Sequence, residues 1–154
     1  MELTRDAIEH LLDGWPVARL ATLRPDGSPA LVPVVFARSA GRLWLPLDGK
    51  PKRAGAGELA RVAHVRRDPR VALLLDQYDA DWSALWWLRL DGKAELVGEH
   101  DVGFDTALGA LVKKYPQYEH TPLFQPGAPP TLIAVGQLRV RSWAASTDVV
   151  DFLG

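Results

Sequence analysis

Cysteine is absent from this chain of 154 residues, and methionine occurs once. Without cysteine there can be no disulfide framework, no thiolate nucleophile and no iron–sulfur or zinc-finger site. Histidine, the other common metal ligand, occurs only four times, and the positions show no ligand spacing. These positions are His10, His64, His100 and His120. The sequence therefore gives no reason to expect a metal site.

The chain also lacks a large excess of positive or negative charge, and it lacks long apolar runs. The formal net charge is −1, so there is no basic excess to neutralise the phosphates of a nucleic acid. No apolar stretch approaches the length of a membrane span, and the first residues carry no basic region of a signal peptide. The composition, 47% hydrophobic and 24% charged, is that of a globular protein. We therefore expect a single domain, 1–154, in a cytoplasmic protein that binds neither membrane nor nucleic acid.

Runs of strand-forming residues, joined by short turns, dominate the chain. Tight connections imply antiparallel neighbours, because a parallel crossover needs a dozen or more residues. Strands are predicted at residues 16–23, 30–37, 42–47, 71–75, 82–97 and 131–143, with a bulge at Asp91-Gly92. Helices are predicted after the cap residue Thr4, at 58–67 and at 104–115. The fold class is therefore mainly β: an antiparallel barrel of about six strands with three peripheral helices.

The predicted second strand is apolar on both faces. Val32, Val34 and Phe36 alternate with Leu31 and Val35. A strand of an antiparallel sheet that is apolar on both sides needs cover on both sides. This pattern suggests a barrel interior on one face and a second subunit or a cofactor on the other.

A basic loop follows the third predicted strand. Lys50, Lys52 and Arg53 place three cations within four residues, and Pro51 stiffens the segment. Runs of charge are usually solvated turns. Here a predicted helix begins a few residues later, and its free N–H groups and dipole would add to the attraction for an anion. We favour a phosphate site over a solvated turn.

The same region also resembles a dinucleotide-binding motif, but the surrounding sequence does not fit that motif. Residues 55–60 match the pattern G-x-G-x-x-A, and Asp76 follows at a suitable distance. That motif requires its first glycine directly at the end of a strand, whereas seven residues intervene here. The strands before it are also joined by hairpin turns rather than by helical crossovers.

Two adjacent tryptophans stand within the long predicted strand 82–97. Trp86 and Trp87 must face opposite ways, because side chains alternate along a strand. One of them can be core while the other meets a partner or a ligand. We expect Trp87 to contact a flat cofactor, and we expect Trp44, Trp82 and Trp143 to lie in the core or at an interface.

Four segments together resemble a known superfamily. They are RLATLRPDGSP at 19–29, VPVVF at 32–36, DGKPKR at 48–53 and YDADWSALWW at 78–87. In this order they resemble the split β-barrel flavin and deazaflavin oxidoreductases, the pyridoxamine 5′-phosphate oxidase-like superfamily. The branch of F420-dependent enzymes is the most similar. The resemblance covers about residues 10 to 143 and implies a homodimer with two cofactor sites at the subunit interface.

The resemblance also implies roles for particular residues. The cofactor phosphate would meet the basic loop, and the ring would lie along two strands and against a tryptophan of the other subunit. Carried over by position, these cofactor-binding residues are Lys50, Lys52, Arg53, Pro33, Val34, Val35, Leu45, Pro46 and Trp87. No residue stands out as a catalytic acid or base. Tyr78 is a candidate proton donor, although a purely structural hydroxyl explains it as well.

The function implied is reduction of a small unsaturated molecule by hydride from the reduced deazaflavin F420. The FMN-using oxidases of the superfamily carry basic residues where Ala30 and Val35 stand here, which makes FMN the second choice of cofactor. An FMN-dependent oxidase or reductase therefore stays open as an alternative. So does a non-catalytic protein that binds flavin, deazaflavin or haem.

Overall fold

A single antiparallel sheet organises the chain. The computed structural model describes residues 1–47 and 59–153, and within them seven strands pair in the order β2-β1-β5-β6-β7-β4-β3. Every pairing is antiparallel, which rules out the dinucleotide-binding interpretation. The strands are β1 (Ala18–Leu23), β2 (Pro29–Val34), β3 (Ala37–Ser39), β4 (Arg42–Pro46), β5 (Arg70–Gln77), β6 (Trp86–Gly98) and β7 (Thr131–Ala144).

Four α-helices pack around this sheet in the described part of the chain. They are α1 (Arg5–Gly14), α2 (Ala60–Arg67), α3 (Phe104–Lys114) and α4 (Thr147–Leu153), and short 3-10 turns occur at Trp82–Ala84 and Pro116–Glu119. The predicted cap of α1 is confirmed, because Thr4 Oγ1 accepts a hydrogen bond of 3.2 Å from the Ala7 amide. Helix α4 was not predicted. None of these helices combines the length and the apolar character that crossing a bilayer requires.

The prediction of six strands is corrected to seven by a break in the second one. The predicted strand 30–37 is two strands, with Val35 and Phe36 between them. β2 pairs with β1, whereas β3 pairs with β4 at the other end of the strand order. The chain thus passes from one edge of the sheet to the other, which curls the sheet into a barrel that is split at this point.

Tyr115, at the end of α3, holds the break between β2 and β3. Its hydroxyl accepts a 3.1 Å hydrogen bond from the Phe36 amide, and its single hydrogen is within reach of two carbonyl oxygens, that of Phe36 at 3.0 Å and that of Pro16 at 2.9 Å. The unpaired backbone at Phe36 is therefore satisfied by a side chain rather than by a neighbouring strand. The contact spans 79 residues of sequence, which explains why the local pattern predicted one unbroken strand.

A β-bulge interrupts β6 where it was predicted. The register between β6 and β7 shifts between Asp91 and Lys93, with Gly92 at the shift. A Cβ atom at Gly92 would lie 2.7 Å from the Gly136 carbonyl oxygen and 2.9 Å from Val135 Cγ1. The close approach of two strands at the bulge therefore requires glycine.

Replacing Gly92 by alanine should destabilise the fold by about 1–3 kcal/mol, because the added methyl group meets backbone that cannot move freely. Urea denaturation would measure the loss. Gly109→Ala is the matched control, since Gly109 lies in α3 with open space around it and alanine favours helix by about 1 kcal/mol. Equal stability of the two variants would contradict the packing constraint at the bulge.

Among the residues that the structure describes, the interior forms two hydrophobic clusters, one on each side of β4. The larger cluster includes Leu45 and Trp86, and the smaller includes Trp44 and Phe104 beneath α3. Trp86 is 1% exposed, and its ring meets that of Trp15 edge to face at 4.8 Å between centroids. Alternation along β4 therefore sends successive side chains into different clusters.

Candidate functional site

The predicted phosphate anchors Lys50, Lys52 and Arg53 lie outside the described residues, so their contacts stay a prediction. The two described residues that bound their segment, Leu47 and Leu59, both line one pocket of about 280 Å³. The described residues on either side of the basic segment therefore meet at one cavity.

The walls of this pocket are mainly apolar. Val62 of α2, Leu96 of β6 and Phe124 of the loop after α3 supply hydrocarbon surface. Polar groups also line it, notably Arg66, Gln125 and Thr131. Apolar walls with a few polar groups are typical of small-molecule sites. Arg66 belongs to the helix predicted at 58–67, whereas Phe124 and Gln125 lie outside every helix and strand predicted from the sequence. The sequence patterns gave no means of foreseeing that Leu96 and Thr131 would join them.

The predicted ring-binding residues fall on two neighbouring parts of the barrel. Pro33 and Val34 end β2, Val35 lies in the break after it, and Leu45 and Pro46 end β4. Pro33 and Val35 keep exposed surface, whereas Val34, Leu45 and Pro46 are buried in the single chain. Continuing the β3–β4 register from Ala37 and Trp44 by two residues would bring Val35 opposite Pro46. Val35 thus lies in the break that leads into β3, the strand next to β4, and both Pro33 and Val35 keep exposed surface.

Beneath this segment, a lysine and a tyrosine fix Phe36. Lys114 Nζ lies 3.6 Å from the centroid of the Phe36 ring and donates a 3.2 Å hydrogen bond to the Leu12 carbonyl. Burial lowers the pKa of Lys114 to about 8, although the negative charge of Asp13 opposes the shift. Burial also raises the pKa of the Tyr115 hydroxyl, so it stays protonated at neutral pH and keeps its donor bond. Lys114 and Tyr115 thus hold the residue next to Val35 in place.

Trp87 lies on the opposite side of the sheet from Trp86, as predicted. It is half-buried and lines an open pocket of about 450 Å³ with Leu74, Asp76, Tyr78 and Arg89. We call this side of β2, β1, β5, β6 and β7 the outer face. By register and alternation its residues are Leu31, Pro33, Arg19, Ala21, Ala72, Leu74, Asp76, Trp87, Arg89, Asp91, Arg139, Arg141 and Trp143.

Large apolar side chains are exposed on and beside the outer face. Leu31 is 71% exposed on β2, and Tyr78 and Trp82, in the segment after β5, are 62% and 78% exposed. Large exposed apolar groups can mark contact with a partner or a ligand. The pattern agrees with the interpretation that β2 needs cover on its outer side.

The acidic loop between β5 and β6 is held by its own carboxylates. Asp79 accepts from the Asp81 amide, and Asp81 accepts from the Ser83 amide and hydroxyl. The hydrogen bonds from Ser83 lower the pKa of Asp81. Asp79 and Asp81 therefore shape the loop that carries Tyr78 and Trp82, in keeping with a structural rather than a catalytic role.

Comparisons with known proteins agree with this architecture. Residues 4–143 match the family described as pyridoxamine 5′-phosphate oxidase. No curated protein matches the chain. Among solved structures, an F420 reductase is 23% identical with a TM-score of 0.56, over 86% of this chain and 94% of that one. A FAD-binding protein from Mesorhizobium loti is 20% identical with a TM-score of 0.58, over 92% and 93%.

A third structure extends the range of ligands found on this fold. HutZ, the haem storage protein from Vibrio cholerae, is 12% identical, with a TM-score of 0.68 over 94% of this chain and 95% of that one. At these identities the structural likeness shows the fold alone. The family match spans both the segments predicted to bind the ring and the strands of the outer face. On that match, the chain belongs to the pyridoxamine 5′-phosphate oxidase-like family of split β-barrel proteins.

Proposed function

We propose that this protein is an F420-dependent reductase, which transfers hydride from the reduced deazaflavin to an unsaturated small molecule. The observation that carries the proposal is that Leu47 and Leu59, the described residues on either side of the basic loop, line one largely apolar pocket. An apolar recess, combined with three cations in the sequence between these two residues, suits a ligand that joins a phosphate to a ring system. The likeness to an F420 reductase supports the same choice of cofactor.

The residues named above have separate tasks in this proposal. Lys50, Lys52 and Arg53 hold the phosphate, while Pro33 and Val35 present an apolar wall to the ring. When bound, reduced F420 supplies the hydride, and the protein supplies position and a dry environment. Tyr115 and Lys114 keep the wall in place through Phe36. The proton that accompanies the hydride has no assigned donor, although Tyr78 lies in the outer-face pocket.

We further propose that two copies of the chain form a homodimer through their outer faces. Leu31 and the aromatic side chains of Tyr78 and Trp82 are exposed in the single chain and would be covered in the dimer. Trp87 of each subunit would then reach the ring bound by the other. Each cofactor site would need both subunits, and the outer-face pocket would lie between them.

A fluorescence titration with F420 and, separately, with FMN tests the choice of cofactor. Six tryptophans give a strong signal, and Trp87→Phe identifies the part that comes from the residue beside the ring. We expect F420 to quench at micromolar or lower concentration, with a weaker response to FMN. A preference for FMN would instead indicate an FMN-dependent oxidase or reductase, and no response to either would favour a binder of another ligand.

A further inference from the structure

Three arginines stand in one row across the outer face. The register pairs Arg19 with Leu74, Leu74 with Arg89, and Arg89 with Arg141. Arg89 and Arg141 are therefore directly opposite each other on neighbouring strands, with their side chains on the same face. Like charges in this relation destabilise a sheet. The pair has no evident benefit for the folded chain alone.

Ion pairs within the chain offset this charge only in part. Arg89 Nε lies 3.2 Å from a carboxylate oxygen of Asp91, which is the register partner of Arg139. Arg141 is exposed, and its side chain has no ion pair or hydrogen bond with any residue that the structure describes. Four arginines thus face two aspartates on this surface. They are Arg19, Arg89, Arg139 and Arg141 against Asp76 and Asp91.

The paired arginines adjoin an aromatic pocket. Arg89 lines the pocket of about 450 Å³ whose other walls are Leu74, Asp76, Tyr78 and Trp87. Asp76 is the register partner of Trp87, whereas Arg141 lies on the far side of Arg89 from β5. Arg141 lies next to Arg89 across the β6–β7 ladder, two residues from Trp143, which is the partner of Trp87. Flat apolar surface and a doubly cationic edge therefore meet at one place. Guanidinium groups bind carboxylates through two parallel hydrogen bonds, and tryptophan faces stack on flat rings.

We propose that the molecule reduced at this site is a flat, unsaturated carboxylate, whose acid group is bound by Arg89 and Arg141 while its ring system lies in the outer-face pocket, next to the cofactor ring that Trp87 contacts. This inference rests on the proposed function, because it names the class of substrate for the same interface pocket. It accounts for the opposed arginines, since a carboxylate between them turns repulsion into two attractive contacts.

A matched pair of probes tests the inference by binding rather than by turnover. Anthraquinone-2-carboxylate is flat, reducible and anionic, and anthraquinone-2-carboxamide has nearly the same shape without the charge. Tryptophan quenching should show the carboxylate binding at least about tenfold more tightly to the unaltered protein. In Arg141→Gln this preference should fall to less than about twofold, with the amide affinity unchanged. The amide affinity reports whether the variant is folded.

Arg5→Gln is the control, because Arg5 is an exposed arginine on α1 with a side chain that is 89% exposed. It should keep the full preference for the carboxylate. Equal affinity for the two probes, or no binding of either, would overturn the inference. If the same protein still bound F420, the proposed function would be unaffected. If Arg141→Gln weakened dimer formation and left the preference for the carboxylate unchanged, Arg89 and Arg141 would be contacts of the partner subunit. The inference would then also be refuted. A carboxylate preference without any F420 binding would uphold the anion site and refute the deazaflavin function.

Discussion

Replacing Lys52 by alanine is expected to weaken F420 binding by at least about tenfold, and replacing Lys52 and Arg53 together by about a hundredfold or more. The reason is the strength of hydrogen bonds between charged partners, about 1.5–3 kcal/mol each. Apart from Arg66, the described residues that line the pocket with Leu47 and Leu59 carry no charged side chain that could replace the lost cations. Tryptophan quenching or calorimetry would measure the dissociation constants.

Lys113→Ala is the matched control for this experiment. Lys113 is an exposed lysine near the end of α3, away from the pocket that flanks the basic loop. Its loss changes the net charge equally and should leave the affinity unchanged. Added salt should weaken F420 binding to the unaltered protein more than to the double variant, since ionic contacts are screened. Unchanged affinity in Lys52→Ala would refute the anchor assignment.

Features set by nearby residues could be predicted from the sequence. The cap at Thr4 needs only a hydroxyl three residues before an amide, and the bulge at Asp91-Gly92 needs only a glycine within a strand. The opposite directions of Trp86 and Trp87 follow from alternation along one strand. The antiparallel fold class follows in the same way from short turns. Each of these depends on a few consecutive residues.

Features set by remote contacts could not be predicted in this way. The break between β2 and β3 depends on Tyr115 reaching Phe36, and nothing near residue 36 signals it. Helix α4 is short and docks beside α1 and β7. Its place therefore depends on elements far away in sequence. Contacts between residues far apart in sequence therefore determine both the break and the position of α4.

The candidate site also contains features that nearby residues predict and features that only the folded chain shows. The basic loop and Trp87 were identified from charge, spacing and resemblance, which are visible in the sequence. The arginine pair was not, because opposition of Arg89 and Arg141 depends on the β6–β7 register, including the shift at the bulge. One residue of slip would send the side chain of one of them to the other face. The meeting of Leu47 and Leu59 at one pocket is likewise a result of folding.

The proposed dimer predicts a large effect from a substitution that the single chain should tolerate. Leu31 is 71% exposed on edge strand β2, so Leu31→Asp should cost the isolated fold little. In the dimer the new carboxylate would be buried where an apolar side chain had been, which is unfavourable. We expect the dimer dissociation constant to rise by at least about a hundredfold, or about 2.7 kcal/mol. Analytical ultracentrifugation across a concentration series would measure it.

Val102→Asp is the control. Val102 is fully exposed just before α3, so this substitution introduces the same charge away from the outer face. It should remain a dimer. Since each proposed cofactor site needs Trp87 from the second subunit, Leu31→Asp should also lose F420 affinity as it dissociates, and raising the protein concentration should restore part of it. A Leu31→Asp variant that stays dimeric would show that the interface lies elsewhere. A monomer that binds F420 with full affinity would show that one subunit suffices, and Trp87 would then have to act within its own chain.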